Sequence, residues 1–327
     1  MKRIATGIVL AALVGTVTAN GQSATPPGID ELVSQAKAAA GLDWPGTFSR
    51  MCIPPPPAGR RGGGPPAGPP ARATWYAEPA KVADNLYFLG TKVHHSWALV
   101  GSDGIVVFEA LFDYAAADEI EEGFRTLGLD GSKVKYVVLS HAHGDHDGGA
   151  RFVQDIFRNA RMVYGAPDWD AVEKSTNRPG GKPRRDLDGT DGMRLSIGDT
   201  SVQIVTMPGH TAGTLSYLFE IKDRGRPLRV VYVGGTAIPF NADAAYYDQY
   251  LSSSRKVARA AADFGATILL SNHTEFDNGY YKAHTAANRK GTGVANPFEV
   301  GATGVARYFA VIENCVTAAR MRAAARP

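Results

Sequence analysis

The strongest constraint in this sequence is the segment Ser140-His141-Ala142-His143-Gly144-Asp145-His146-Asp147-Gly148-Gly149. It follows Val134–Leu139, a continuous apolar and β-branched run typical of a buried strand. Neutral imidazole and carboxylate are the nitrogen and oxygen donors that zinc prefers. Side chains two positions apart, such as those of His141 and His143, project the same way from extended backbone, whereas Asp145 and His146 then turn to another side. One loop can therefore serve two neighbouring metal ions, and its small residues allow the tight bend.

Two later histidines also follow predicted strands. His210 lies in the turn after Val202–Met207, and His273 comes shortly after the apolar run Thr267–Leu270. A lone loop histidine is more often a structural residue than a ligand. The shared position at a strand end favours metal binding for both.

The apolar pattern from Trp75 onward is that of a folded α/β (α+β) protein. Short β-type runs are predicted at Leu86–Leu89, Ser96–Val100, Gly104–Phe108, Val134–Leu139, Met193–Ile197, Val202–Met207, Leu215–Ile221, Leu228–Val233 and Thr267–Leu270. Helices are predicted at Tyr114–Leu127, from about Gly148, at Tyr246–Phe264 and from Val305 to Ala325. Strands in each half, each followed by helices, predict two stacked sheets covered by helices, a four-layer αββα sandwich.

The N-terminus differs from the rest of the chain. Lys2 and Arg3 precede the apolar run Ile4–Val17, and small residues follow it. This order predicts a cleaved secretory signal over residues 1–24, and hence a periplasmic or secreted protein. A buried N-terminal helix is the alternative. No stretch reaches the roughly 18 apolar residues needed to span a bilayer.

Residues 25–74 are expected to form an N-terminal helix followed by an arm rich in proline and glycine, and residues 75–327 the main domain with its helical C-terminus. The composition of Pro54–Pro70 cannot bury apolar area. The two cysteines, Cys52 and Cys315, lie near opposite ends of the chain. In an oxidising compartment such a pair often forms a disulfide, and two free thiols are the alternative.

The charge distribution argues against nucleic acid as a partner. The formal net charge is only +3, and the basic residues form no stripe with interleaved aromatic residues. A small-molecule substrate is the expected partner, and the oligomeric state is not determined by these features.

The motif His-X-His-X-Asp-His, followed by Pro-Gly-His-Thr and a late histidine after a strand, resembles the metallo-β-lactamase superfamily. The resemblance covers roughly Val82 to Asn278 and implies the αββα sandwich with two zinc ions per chain. It implies that the first zinc is held by His141, His143 and His210. It implies that the second is held by Asp145, His146 and His273.

One position separates the branches of this superfamily. Many members, including thioesterases, lactonases and phosphodiesterases, have a metal-bridging aspartate after the strand that follows Gly-His-Thr, and subclass B1 β-lactamases have a cysteine. This chain has Val233-Gly234-Gly235-Thr236-Ala237 there, which is similar to subclass B3 metallo-β-lactamases. The resemblance implies a dizinc enzyme of antibiotic resistance that opens the amide ring of β-lactams with a metal-bound hydroxide oriented by Asp145.

The substrate-binding residues are expected to include Thr236, His95 and Trp97. Thr236 offers the one hydroxyl near a position where subclass B3 enzymes use serines. His95 follows His94 in a predicted loop that flanks the site, of which at most one faces the pocket, and Trp97 lies at the start of the next predicted strand. A hydrolase of lactones, other esters or thioesters on the same fold is the alternative function. A zinc-binding scaffold without catalysis is a third.

Overall fold

The computed structural model describes residues 27–55, 68–291 and 293–325. The predicted secretory signal at residues 1–24 and most of the Pro/Gly-rich arm lie outside the described residues. One sheet has seven strands in chain order: β1 (Ala80–Lys81), β2 (Leu86–Phe88), β3 (Trp97–Gly101), β4 (Gly104–Phe108), β5 (Val134–Val138), β6 (Arg161–Tyr164) and β7 (Leu187–Asp188). The other has five, in the order β12-β11-β10-β9-β8: β8 (Arg194–Ser196), β9 (Ser201–Thr206), β10 (Leu215–Asp223), β11 (Arg226–Val233) and β12 (Ile268–Ser271).

The helices connect these strands and flank the sheets. They are α1 (Ile29–Ala40), α2 (Pro45–Cys52), α3 (Arg72–Trp75), α4 (Glu122–Leu127), α5 (Gly144–Asp147), α6 (Ala150–Ile156), α7 (Ala166–Lys174), α8 (Ala244–Phe264), α9 (Thr274–Asp277), α10 (Gly279–Ala287) and α11 (Gly301–Ala324). A π-helical turn at Ala117–Glu121 precedes α4, and a 3₁₀ turn at Gly131–Lys133 precedes β5.

The two sheets face each other across an apolar core. Phe108 of the first sheet packs against Tyr217, Phe219 and Tyr232 of the second, with ring centres 5.0 to 5.7 Å apart. Strand β4 is buried along its whole length and pairs in parallel with β5, as expected for an apolar, β-branched strand inside a covered sheet. The predicted sheet-on-sheet core is confirmed.

Helices cover both outer faces of this pair of sheets. Helices α6 and α7 contribute Val153 and Trp169 to a second apolar cluster on the seven-stranded sheet. Helices α8 and α11 contribute Val257 and Ile312 to a third cluster on the five-stranded sheet. The arrangement is the predicted four-layer αββα sandwich.

The long helix α8 begins and ends where local chemistry dictates. Asp243 precedes it, and its side chain accepts a hydrogen bond from Tyr246 N at 2.9 Å, satisfying a free N–H of the first turn. Gly265 ends it in the left-handed conformation, at φ +73°. The helix is therefore two residues longer at its start than the apolar pattern alone predicts.

The N-terminal helices α1 and α2 pack on α11 and share its apolar cluster. Trp44, between them, is fully buried and donates Nε1–H to Gly304 O at 2.9 Å. Cys52 and Cys315 form a disulfide, which settles the alternatives left open by the sequence. Helix α1 therefore belongs to the same core as the C-terminal helix. Within the described ranges, no helix has the length and apolar character to cross a bilayer.

Candidate metal centre

The predicted ligands converge where several strands end. His141 and His143 follow β5, and His210 follows β9. His273 follows β12, two residues past its end. The fold thus brings residues that are up to 132 positions apart in the sequence to one edge of the sandwich.

His141, His143 and His210 form the first donor cluster. His210 Nε2 lies 3.1 Å from His141 Nε2 and 3.1 Å from His143 Nδ1. Donors bound at about 2.1 Å around a tetrahedral zinc ion are separated by roughly 3.4 Å, so the spacing matches a shared metal ion.

The other ring nitrogens show which form these imidazoles adopt. His141 Nδ1 lies 2.8 Å from Gly234 O, and His210 Nδ1 lies 2.7 Å from Ala237 O. A carbonyl oxygen only accepts, so both Nδ1 atoms carry the proton. Burial lowers the pKa of His210 to about 4 and that of His141 well below its usual value, which keeps both rings neutral. Their Nε2 lone pairs then face each other at 3.1 Å, where no hydrogen bond can form and a cation would satisfy both. The residues fit a metal ion.

Asp145, His146 and His273 form the second donor cluster. Asp145 Oδ2 lies 3.3 Å from His146 Nε2 and 3.4 Å from His273 Nε2, and the two ring nitrogens are 2.9 Å apart. Burial raises the pKa of Asp145, but the neighbouring imidazoles of His146, His273 and His94 outweigh this and hold the pKa well below its usual value. The carboxylate is therefore ionised, as a metal ligand must be.

The two clusters adjoin each other through the short loop between β5 and α6. The rings of His141 and His146 have centres 4.4 Å apart, although each belongs to a different cluster. This is the arrangement expected of two neighbouring cation sites. His143 is exposed and Asp145 is 24% exposed, so solvent and small molecules reach the donors from one side.

Asp168 joins two of the ligand loops, and the sequence analysis did not identify it. Its side chain is buried at the start of α7. One carboxylate oxygen accepts hydrogen bonds from Ala142 N and Thr211 Oγ1, both at 2.8 Å, and the other accepts from Gly213 N at 2.9 Å. The loop of His141 and His143 is thus held in register with the loop of His210.

The backbone oxygen of Gly234 also connects two of the donor loops by hydrogen bonds. It accepts from His141 Nδ1 and, at 2.8 Å, from Nδ2 of Asn272, which precedes the predicted ligand His273. The oriented imidazole has the backbone acceptor that metal-binding histidines usually have.

Glu109 supports the second cluster from inside the fold. This buried residue has φ +65°, and its carboxylate accepts from Tyr232 Oη at 2.9 Å and Ser140 N at 3.2 Å. Burial raises its pKa to about 7. Glu109 Oε2 is 4.0 Å from His146 Nδ1, a buried nitrogen with no hydrogen-bond partner in the described structure. If Nε2 of His146 binds a metal ion, Nδ1 carries the proton, and Glu109 is the carboxylate placed to accept a hydrogen bond from it.

The residues expected to bind substrate do not reach the surface. His95 is fully buried, with its two ring nitrogens 2.8 Å from Ser271 O and Thr274 Oγ1, and Trp97 is fully buried against Phe88. No face of either side chain is available to a substrate.

Thr236 is also buried, with 1% of its surface exposed, and its hydroxyl is bonded to Tyr308 Oη at 2.7 Å. The position predicted from the family pattern thus serves packing between β11 and α11. Contact between Thr236 and a substrate carboxylate would require this hydrogen bond to break.

An aromatic pair stands beside the second cluster. Phe112 and Tyr114 are stacked with ring centres 5.0 Å apart, and the Phe112 ring lies edge-on to His94 at 5.0 Å. Both aromatic rings are half-buried, so part of each is exposed to solvent. They follow β4 after two residues with positive φ, a bend that no sequence pattern indicated.

Residues 89–226 match the model of the metallo-beta-lactamase superfamily. Among curated proteins, the chain is 37% identical over 106 residues to the N-acyl homoserine lactonase AttM of Rhizobium johnstonii, which covers 30% of this chain and 40% of that protein. It is 31% identical over 126 residues to the hydroxyacylglutathione hydrolase of Acidiphilium cryptum, covering 38% and 44%. The chain therefore spans less than half the length of these relatives.

Solved structures match over a larger part of the chain. A metallo-beta-lactamase of Cronobacter sakazakii superposes with a TM-score of 0.65 at 21% identity, covering 78% of this chain and 99% of that one. BJP-1, a subclass B3 metallo-beta-lactamase of Bradyrhizobium japonicum, gives a TM-score of 0.59 at 22% identity, covering 73% and 93%. At these identities the likeness establishes the shared fold.

Proposed function

We propose that this chain, in which residues 89–226 match the metallo-beta-lactamase superfamily model, is a dizinc hydrolase that opens the amide ring of β-lactams. The observation that carries the proposal is the close packing after β11. A Cβ on Gly234 would lie 1.8 Å from Leu215 O, and one on Gly235 would lie 2.7 Å from His210 Cβ. The backbone here leaves no room for the bridging aspartate of the lactonase and thioesterase branches. The absence of that ligand supports a second metal site built on Asp145, His146 and His273.

Two bound zinc ions would supply a water of lowered pKa and polarise the substrate carbonyl. The chain's own residues fix where this chemistry happens. Gly234 O and Ala237 O hold the Nδ1 protons of His141 and His210, so both rings present Nε2 to the first site. Asp145 is ionised and partly exposed, and its carboxylate can accept a hydrogen bond from the attacking water and orient it.

The exposed side of the site determines what a substrate meets. The stacked rings of Phe112 and Tyr114 offer an apolar wall next to the second cluster. A bicyclic β-lactam has an apolar face that suits such a wall, and its strained amide would lie over the donors.

The second candidate is a lactone or thioester hydrolase that uses the same donors. The observation that favours it is the identity of the curated relatives, which are an N-acyl homoserine lactonase and a hydroxyacylglutathione hydrolase. Those matches are local, over 30% and 38% of this chain.

Substrate turnover separates the two candidates. The zinc-loaded protein should hydrolyse nitrocefin and a carbapenem, and a chelator should abolish both activities. An N-acyl homoserine lactone and a glutathione thioester are assayed in parallel. Rapid cleavage of either of these with no turnover of both β-lactams would reject the β-lactamase proposal in favour of the second candidate.

Metal content tests the two-site arrangement without reference to activity. The purified protein should hold about two zinc ions per chain and His273→Ala about one, because the second site would lose one of its donors. His284→Ala is the matched control, because His284 is a half-buried histidine on α10 that contacts Phe88 and Tyr280. An unchanged zinc content in His273→Ala would contradict the ligand assignment.

We also propose that the protein is exported. The charge order at residues 1–24 supports this, and β-lactams are met outside the cytoplasm. Fractionation of cells that express the full chain should recover it, shortened at the N-terminus, from the periplasm or medium; a full-length cytoplasmic product would refute export.

A further inference from the structure

The donor set of the second cluster is larger than the family motif accounts for, because His94 stands beside it. The backbone of His94 is held in a tight turn by Thr91, whose N–H donates to His94 O at 2.7 Å and whose hydroxyl oxygen accepts from His94 N at 2.8 Å. The position of this histidine is therefore set before any metal binds.

The same turn is joined to the loop that carries His273. His95 N donates to Asn272 O at 3.0 Å, and Thr274 N donates to Val93 O at 2.8 Å, which pairs His94 with His273 across an antiparallel bridge. Residues opposite each other in such a bridge have neighbouring side chains. The rings of His94 and His273 accordingly have centres 4.9 Å apart.

The side chain of His94 points at the same carboxylate oxygen as the other ligands. His94 Nε2 lies 3.6 Å from Asp145 Oδ2, compared with 3.3 Å for His146 Nε2 and 3.4 Å for His273 Nε2. A direct charge-assisted hydrogen bond between histidine and carboxylate would be about 2.7 to 2.9 Å long. A separation of about 3.4 Å is instead that of two ligands on one ion. The observed distance fits a shared metal ion better than an ion pair.

The distances between the rings also place His94 within the cluster. His94 and His146 have ring centres 6.1 Å apart, wider than the 4.8 Å between His146 and His273. Phe112 packs edge-on against the His94 ring and limits its rotation away from the cluster. His94, Asp145 and His273 each offer a donor atom within 4.8 Å of the other two, a spacing that one metal ion could share.

We infer that His94 is a fourth protein ligand of the second metal, together with Asp145, His146 and His273. The inference rests on the proposed two-metal function and extends it. Zinc accepts four or five ligands, so a fourth protein donor leaves at most one position for water or substrate. The second metal is therefore held more tightly, and offers fewer open positions, than the three motif ligands alone would allow.

Metal affinity tests this inference directly. His94→Phe keeps an aromatic ring against Phe112 while removing the donor nitrogen, and His284→Phe removes a histidine outside both clusters. In competition titrations with a chromophoric chelator, His94→Phe should weaken the second zinc site by at least about tenfold and leave the first unchanged. His284→Phe should match the unmodified protein, and far-UV circular dichroism of the metal-free proteins checks that each variant folds.

A count of histidine ligands distinguishes ligation from a supporting role. In protein loaded with two cobalt(II) ions, each bound imidazole gives a strongly shifted, exchangeable ring N–H proton resonance. His94→Phe should show one such resonance fewer than the unmodified protein and the His284→Phe control. Unchanged affinity and an unchanged count in His94→Phe would overturn the inference while leaving the two-metal proposal intact. Binding of only one zinc ion by the unmodified protein would refute the two-metal proposal, and the inference with it.

Discussion

Replacing Asp168 with asparagine tests whether the two loops of the first donor cluster depend on one buried carboxylate. The substitution keeps the shape of the side chain but turns one accepting oxygen into an NH₂ group. In the native structure both oxygens accept, one from Ala142 N and Thr211 Oγ1 and the other from Gly213 N. Whichever way the amide is oriented, at least one backbone N–H must face another donor.

The expected loss of stability follows from those contacts. An unsatisfied buried donor costs about 1 to 3 kcal/mol, and the remaining hydrogen bonds lose the contribution of the ionised acceptor, roughly another 1 kcal/mol. We expect Asp168→Asn to lower the free energy of unfolding by about 2 to 4 kcal/mol. Because Ala142 and Thr211 adjoin ligands of the first site, metal affinity there should also fall, by about 10- to 100-fold.

The assay uses metal-free and zinc-loaded protein separately. Urea unfolding of the metal-free form reports the stability term, and chelator competition on the loaded form reports the affinity term. Asp170→Asn is the matched control, since Asp170 lies on the same helix and makes a solvent-screened ion pair with Arg185 that contributes little to stability. If Asp168→Asn lies within about 0.5 kcal/mol of this control and binds zinc equally well, the proposed role of the carboxylate is wrong.

Three further changes probe the scaffold around the site. The disulfide closes a loop with a sequence separation of 263, for which chain entropy gives a ceiling of roughly 5 to 6 kcal/mol; Cys52→Ala/Cys315→Ala should lose about 3 to 5 kcal/mol in urea unfolding, and a loss below about 1 kcal/mol would contradict this. Burial raises the pKa of Glu119 to about 9, so the folded state keeps a proton that the unfolded state releases, and the free energy of unfolding should fall as pH rises from about 5 to 9. Glu119→Gln should remove a destabilisation of order 3 kcal/mol at pH 7. A variant whose stability depends on pH in the same way as the unmodified protein would refute this role of Glu119. Gly234→Ala would bring a Cβ to 1.8 Å from a carbonyl oxygen of β10, whereas a Cβ on Gly293 would meet nothing within 4 Å. Gly234→Ala should therefore lower zinc affinity and the free energy of unfolding by several times as much as Gly293→Ala. Equal effects of the two substitutions would show that the backbone at Gly234 can shift to accommodate a side chain.

Much of the fold and most of the donor set could be predicted from local sequence. The run Val134–Leu139 is apolar and β-branched, so it predicts a buried strand, and five potential donors lie within eight residues of its end. His210 and His273 could be proposed because each follows a strand of the same kind. The four-layer architecture followed from the order of strands and helices, because each sheet must bury two faces.

Other parts depended on contacts between distant segments. The sequence pattern assigned the substrate groove to His95, but the turn at Thr91 and the bridge to His273 direct His94 to the site and bury His95. Adjacent residues in extended backbone point in opposite directions, so a choice between them requires knowing which face meets the neighbouring strand. No periodicity supplies that information.

Asp168 shows the same limit more strongly. It lies at the start of an ordinary helix, 26 residues after Ala142 and 43 before Thr211, and nothing in its neighbours indicates a role at the site. Thr236 could be placed near the metals from the family pattern, but only packing against α11 shows that its hydroxyl is taken by Tyr308. The sequence alone determined the chemistry of the donors, because ligand type and strand-end position are local properties. The tertiary structure decided which neighbours orient them, because those contacts join segments that no local pattern relates.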